Sequence, residues 1–227
     1  MSTMLLRLAA PLQSWGCDAK FDRRSTERAP TKSGVIGLVA AAMGRRREEK
    51  VDDLAELHYG VRIDREGTPL RDYHTAKSKK SAYVTSRSYL SDAVFLVGLE
   101  GKDALLHEIE RAICRPAFPL YLGRRSCPPE GQLFIGIRER TLYDALISEP
   151  CLAQRRPVKG ENNVCSLRLL MDDGAGIPSF FHRDIPISFD QRHRRYGFRP
   201  VCDTVVPVLS GSDEPTTEHD PFSEMEV

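Results

Sequence analysis

Apolar and polar positions recur in short, well-bounded blocks along this chain. Met4 to Ala9 alternates as a strand with Arg7 turned outward, and Pro11 ends it. An apolar helical run opens at Val35, after Pro30, Thr31, Lys32, Ser33 and Gly34. Thr31 or Ser33 supplies its cap and Gly44 a left-handed stop. Gly34, Gly37 and Ala40 to Ala42 give this helix a flat face suited to close packing. A second helix is predicted over Glu48 to Leu57, with Val51, Leu54, Ala55 and Leu57 on its apolar side. Tyr59 to Asp64 alternates as a strand, broken by Gly67 and Pro69, and Tyr89 to Leu99 reads as one long strand. Leu105, Ile109, Ala112 and Ile113 define a helix over Asp103 to Arg115. A short strand follows in the segment that starts at Ala117, then a turn at Gly123, then a strand over Leu133 to Ile137. The order strand, helix, strand, strand, helix, strand predicts an α+β, ferredoxin-like domain over residues 1–137, a scaffold common among RNA-binding modules. Beyond it, a helix at Leu142 to Ile147 and strands at Val164 to Met171, Ile185 to Phe189 and Pro200 to Leu209 predict a C-terminal β-rich extension over 138–209.

Three stretches break the apolar pattern, and all three are basic. The loop before the first helix carries Arg23, Arg24 and Arg28, with Lys32 at the helix start. The segment from Arg71 to Arg87 holds five Lys or Arg residues against one acid, which suits a protruding hairpin or arm, although composition alone fits a solvated loop as well. The turn at Gly123 carries Arg124 and Arg125. A further cluster, Arg192, Arg194, Arg195 and Arg199, comes late. Arg45, Arg46 and Arg47 follow the first helix, where its macrodipole is enough to explain them.

Overall charge hides this bias. The 227 residues carry a formal net charge of +1, but residues 203–227 hold seven acids and no Lys or Arg, which leaves residues 1–202 at +8. A basic body with an acidic tail over 210–227, expected to be disordered, points to an anionic partner. With 41% hydrophobic and 29% charged residues the chain is globular. Its six cysteines form no C-x-x-C pair and have no histidine at zinc spacing, so free thiols in a reducing cytoplasm are expected. The apolar start is short and interrupted by Arg7, unlike a signal or membrane segment.

Candidate chemistry is sparse. No GxSxG elbow and no GxxxxGK[ST] loop is present, and no metal or other cofactor is implied. Tyr73, His74 and Lys77 are the residue types that a metal-free ribonuclease uses as acid, base and phosphate cation. A lone histidine in a basic arm more often makes a simple hydrogen bond. Trp15, the single tryptophan, fits base stacking and core packing equally well. The free N–H groups at the first helix start, with Lys32 and Ser33, offer a phosphate seat, and Arg124 and Arg125 offer another beside the turn's backbone.

Three blocks carry a resemblance: LLRLAAPLQSWG (5–16) with PTKSGVIGLVAAAMG (30–44), LRDYHT (70–75) and YLGRRSCP (121–128). Together they resemble the fifth family of CRISPR-associated proteins, in its form as a subunit of type I-E Cascade; the likeness is dense over 4–137 and thin beyond. The resemblance implies a RAMP domain with an inserted hairpin, or thumb, about residues 68–92. It implies binding of the CRISPR RNA 5′ handle at one end of a surveillance complex, next to a backbone subunit and the large subunit, and contact with target DNA only through the complex. A non-catalytic role is implied, since another subunit cuts the precursor RNA in type I-E systems; relatives in type I-C systems do cut it. The expected RNA-binding residues are Trp15, Lys32, Ser33, Arg124, Arg125 and Ser126 on the matching blocks, with Arg23, Arg24 and Arg28 in the basic loop between them. In the thumb they are Lys77, Lys79, Lys80, Tyr83 and Arg87.

Overall fold

The computed structural model describes residues 1–16, 23–77, 82–153, 164–172 and 178–210, apart from the side chains of Arg23 and Ala76. Its elements in chain order are β1 (Ser2–Ala9), β2 (Leu12–Gln13), β3 (Arg23–Arg24), α1 (Lys32–Ala42), α2 (Asp52–Ala55), β4 (His58–Arg65), β5 (Thr68–Lys77), β6 (Ala82–Ser91), β7 (Val94–Gly101), α3 (Asp103–Cys114), β8 (Phe134–Arg138), α4 (Leu142–Ser148), β9 (Val164–Met171), β10 (Phe180–Ser188) and β11 (Arg195–Leu209).

A seven-stranded sheet runs in the order β10-β11-β9-β4-β7-β1-β8, and every neighbouring pair in it is antiparallel. Period-2 alternation along β1 sets its two faces. Met4, Leu6 and Leu8 join one buried cluster with Val35, Ile36 and Val39 of α1 and Leu106 and Ile109 of α3. Leu5 and Ala9 join the opposite cluster, beneath Leu142, Ala145 and Leu146 of α4. Gly60 and Gly98 let α4 sit this close, since a Cβ at either would lie 2.7 and 2.6 Å from its leucines. The C-terminal strands extend the same sheet, because β9 pairs with β4.

A second, four-stranded sheet is built on the β5–β6 hairpin, whose ten-residue register runs from Thr68 opposite Ser91 to Lys77 opposite Ala82. β2 pairs with the base of β6 and β3 runs parallel to its middle. The expected single strand over Tyr89 to Leu99 is therefore two. Ser91 pairs with Leu12 and Thr68 in the hairpin sheet, Val94 with Ala9 and Arg65 in the large one. Asp92 turns the chain between them at φ 57°, where a short polar side chain is tolerated.

Two further expectations change. The helix expected over Glu48 to Leu57 contracts to Asp52–Ala55, because the preceding residues form a turn in which the Arg46 N–H donates to Glu49 and Arg45 grips Asp53 through both carboxylate oxygens. The segment from Ala117 is not a strand; the Ala117 N–H donates to Ala42 O, which ties it to the end of α1.

Candidate nucleic-acid interface

Trp15 shows how the first basic stretch is held. It is 1% exposed, its ring lies under α1, and a Cβ at Gly34 would come within 2.9 Å of it. Its Nε1 donates to Gln13 Oε1 at 3.0 Å, its backbone N–H to Thr26 Oγ1 at 2.8 Å, and its carbonyl accepts from the Glu27 N–H at 2.7 Å. The base-stacking role open to Trp15 in the sequence is thus excluded by burial. It positions the loop that carries Arg24 and Arg28, both exposed.

The helix start corrects a second expectation. Thr31 caps α1 by accepting from the Gly34 N–H. The Lys32 N–H, however, donates to Asp184 Oδ2 at 2.7 Å, and Lys32 Nζ pairs with Asp172 at 2.8 Å. Lys32 is 4% exposed and Ser33 6%, with its hydroxyl against Thr31. The seat offered to a phosphate is filled by carboxylates of the chain itself. Arg199, from the late basic cluster, completes this buried network: it binds Asp184 at 2.6 Å and Asp172 at 2.6 Å and lies over the Tyr59 ring. His182 adds a third basic group, 3.1 Å from Asp184. Burial pushes the Asp184 carboxyl up, but hydrogen bonds from His182 and Arg199 outweigh it and hold the acid well below its usual range.

The loop before α1, the β5–β6 hairpin and the turn at Gly123 meet along β6. Arg23 and Arg24 of β3 pair with Ser86 and Arg87. Opposite residues share a face, so Arg24, Arg87 and Asp72 lie on one side of the small sheet, together with Tyr83, Thr85 and Tyr89 of β6. The turn at Gly123 closes over this side. Its φ of +84° and the 1.7 Å that would separate a Cβ from Ser14 O require glycine. Leu122 N–H donates to Cys127 O, Cys127 N–H to Arg124 O, and Ser14 N–H to Leu122 O.

Arg124 leaves that turn to donate to Arg24 O at 2.9 Å and Ser25 O at 3.5 Å, and its guanidinium stacks 4.7 Å from the centre of the Tyr89 ring. Burial pushes the Tyr89 phenol up, but bonds from the Arg124, Ser126 and Arg87 side chains outweigh it and leave the phenol below its ordinary value. Two guanidinium N–H groups here, Arg87 Nε and Arg124 Nη1, are buried without a partner among the described residues. Each such donor costs about 1–3 kcal/mol. Arg125 beside them is exposed.

The rest of the hairpin is divided by its pleat. Tyr83, on the Arg87 face, is 47% exposed. Tyr73 and Lys77 lie on the opposite face from His74, which pairs with Asp72. The acid, base and cation suggested for a ribonuclease therefore do not converge. Lys79 and Lys80, and the side chain of Arg23, lie outside the described residues. Sequence reasoning missed Tyr89, which it counted only as a strand residue; its two-residue spacing from Arg87 was the available signal. Among the described residues no group of His, Cys, Asp or Glu is arranged to hold a metal, and no helix is long and apolar enough to cross a membrane.

The class defined by these features is a mostly antiparallel α/β protein with arginines from three distant segments on one side of a hairpin sheet, the kind of cationic surface that favours a polyanion. Residues 3–202 match the family model described as CRISPR-associated protein (Cas_Cas5), and the chain belongs to that family. It is 37% identical over 158 residues to the CRISPR system Cascade subunit CasD of Escherichia coli (strain K12), a match that covers 60% of this chain and 70% of that protein. Among solved structures, a chain from a CRISPR RNA-guided surveillance complex superposes with a TM-score of 0.81 at 34% identity, covering 94% of this chain and 95% of that one. A crystal structure of a Cas protein superposes with a TM-score of 0.73 at 42% identity, covering 92% and 98%.

Proposed function

We propose that this protein is a non-catalytic subunit of a type I-E Cascade complex that binds the 5′ handle of CRISPR RNA. The observation that carries the reading is the meeting of segments far apart in sequence: Arg24 beside Arg87 on β6, and Arg124 bonded to the Arg24 and Ser25 carbonyls. Single-stranded RNA that is folded back presents phosphates, 2′-OH groups and splayed bases to such a surface. The residues assigned to it are Arg23, Arg24, Arg28, Arg87, Arg124, Arg125 and Ser126, with Tyr83 the exposed aromatic. Lys77, at the end of β5, is assigned to the RNA with them, as are Lys79 and Lys80, which lie outside the described residues.

In this reading β1, α1, β4, β7, α3 and β8 form the ferredoxin-like core, and the strand order β8-β1-β7-β4 supports it. The β5–β6 hairpin is the thumb, residues 138–209 are the β-rich extension, and the acidic residues beyond are a tail. The protein works in the cytoplasm, caps the complex beside a backbone subunit and helps to dock the large subunit; it meets target DNA only through the assembly. The relatives named above support this placement, since one is a Cascade subunit and another a chain of an RNA-guided complex.

The test is Arg124→Ala with Arg125→Ala in the assembled complex. Loss of CRISPR RNA, with binding that weakens steeply in salt for the unaltered protein, is expected. Assembly and RNA retention at wild-type level in the double variant would sink the handle assignment. The endoribonuclease alternative is checked with labelled repeat RNA in EDTA. No specific cut is expected; a cut that His74→Ala abolishes would replace the proposal.

A further inference from the structure

Two features of the sequence take no part in the RNA reading: the late basic cluster and the acidic residues that follow β11. The cluster lies on the β10–β11 hairpin, and β10 is an edge strand of the seven-stranded sheet. One face of this hairpin is closed. His182 and Arg199, opposite each other in register, join the buried carboxylate network at the start of α1. The other face is bare. Phe181 stands opposite Pro200 and Arg183 opposite Phe198, so these four share one side. Phe181 is 69% exposed and Phe198 66%, and the Arg183 guanidinium lies 6.0 Å from the centre of the Phe198 ring. Arg192, Arg194 and Arg195 are exposed at the hairpin turn. Asp190, the acid of that turn, accepts from the Arg192 N–H. No carboxylate among the described residues forms an ion pair with Arg183 or with the arginines of the turn. Bare phenylalanines beside arginines that lack an acid suit a ligand that is both acidic and aromatic.

We propose that the acidic segment after β11, residues 211–227, docks on this face of its own chain, with Phe222 as the anchor against Phe181 and Phe198. The charges match, since the segment holds six acids and no Lys or Arg. The apolar residues match as well. Phe222 is the only Phe, Tyr or Trp beyond Phe198, and Met225 and Val227 follow it, set among Glu224 and Glu226. The reach also fits. From Leu209 back to Pro200, β11 covers about 31 Å. The chain from Ser210 to Phe222 spans up to about 40 Å. With Phe222 at the level of Pro200, the remaining residues bring Glu224 and Glu226 to the level of Arg183 and Arg195. The basic side of β6 competes for the acids, but the hairpin face also receives the aromatic ring. Docking within one chain does not depend on protein concentration. A partner that uses this face must first displace the segment. None of the residues assigned to RNA takes part.

The experiment uses the whole 227-residue chain, purified free of nucleic acid, with the photocrosslinker p-benzoylphenylalanine at position 222, where it keeps an aromatic ring. Dilute protein is irradiated and the crosslinked peptides are mapped by mass spectrometry. Position 222 is expected to join residues 180–200 of the same chain. Phe181→Ala with Phe198→Ala is expected to lower that yield by about fivefold, since the anchor loses its apolar cover. Arg183→Gln is expected to lower it by about twofold, and so is a rise in chloride from about 0.05 to 0.5 M on the unaltered chain. These side chains are exposed, so the melting temperature of each variant is expected to match the parent's, which separates lost docking from lost folding. Crosslinks that map to β6 or to the turn at Gly123 overturn the proposal by placing the segment on the basic side of the small sheet. Crosslinks between chains overturn it by making the occupant a second copy. A hairpin crosslink that neither the double variant nor salt reduces, or no crosslink at all, overturns it as well.

Discussion

Two basic regions of this molecule look alike in sequence and differ in physics. At the start of α1, Lys32 and Arg199 are buried; Lys32 Nζ pairs with Asp172, and Arg199 pairs with both Asp172 and Asp184. Along β6, Arg124 stacks on the Tyr89 ring, and Arg87 Nε and Arg124 Nη1 have no partner among the described residues. The first region is electrically complete and holds the C-terminal strands to the first helix. The second is incomplete and faces the side on which Arg24 lies. Counting positive residues cannot separate them. What separates them is whether distant carboxylates arrive to match the charge.

The comparison breaks first at the complete network. Asp172→Ala leaves Lys32 and Arg199 short of a carboxylate inside the protein, and a loss of about 3–5 kcal/mol is expected in urea unfolding. A change below about 1 kcal/mol would mean that the network is wet and dispensable.

Arg124→Ala with Arg125→Ala acts on the other region. Urea stability is expected to stay within about 1 kcal/mol of the parent, while the logarithm of RNA affinity falls less steeply with log salt, by about 0.7 for each phosphate no longer neutralised. An unchanged salt slope would show that these arginines meet no phosphate. Thr31→Ala removes only the cap of α1 and is expected to cost about 1 kcal/mol with no change in RNA affinity.

Acid sharpens the contrast by a smaller step. Asp184 is held below its usual range, so its stabilising share is present above the unfolded value of about 3.9 and is lost as pH falls through the folded value. His182 has the opposite sign. Its bond to Asp184 raises it, so its share is full below about 6.5 and fades as pH rises through the folded value. Unfolding midpoints taken between about pH 2 and 9 are expected to drop steeply on the acid side and gently above neutrality. Asp184→Asn flattens both arms; retention of both arms in that variant would place the titration elsewhere.

The periodic elements were legible because their signals are local. β1, β4 and α3 fall where alternation or helical spacing put them, and Thr31 and Gly44 act as cap and stop. Local signals failed at junctions between elements. The strand expected over Tyr89 to Leu99 was split because its two halves belong to different sheets, and no residue in it is forbidden to a strand. Trp15 and Lys32 stand within a basic, polar stretch where Lys32 reads as surface and Trp15 fits surface and core alike, yet each is buried by partners outside that stretch: Lys32 by Asp172, Trp15 by a helix that begins beyond the loop.

By itself, then, the amino-acid order settled the α+β class, most element positions and the presence of separate cationic stretches, because propensity, periodicity and charge are properties of neighbours. Tertiary structure decided which cations are free to meet a partner. That depends on Coulomb pairing and desolvation between residues far apart along the chain, as with Lys32 and Asp172 at one end and Arg24 and Arg124 at the other. Such pairings exist only once the sheets have formed.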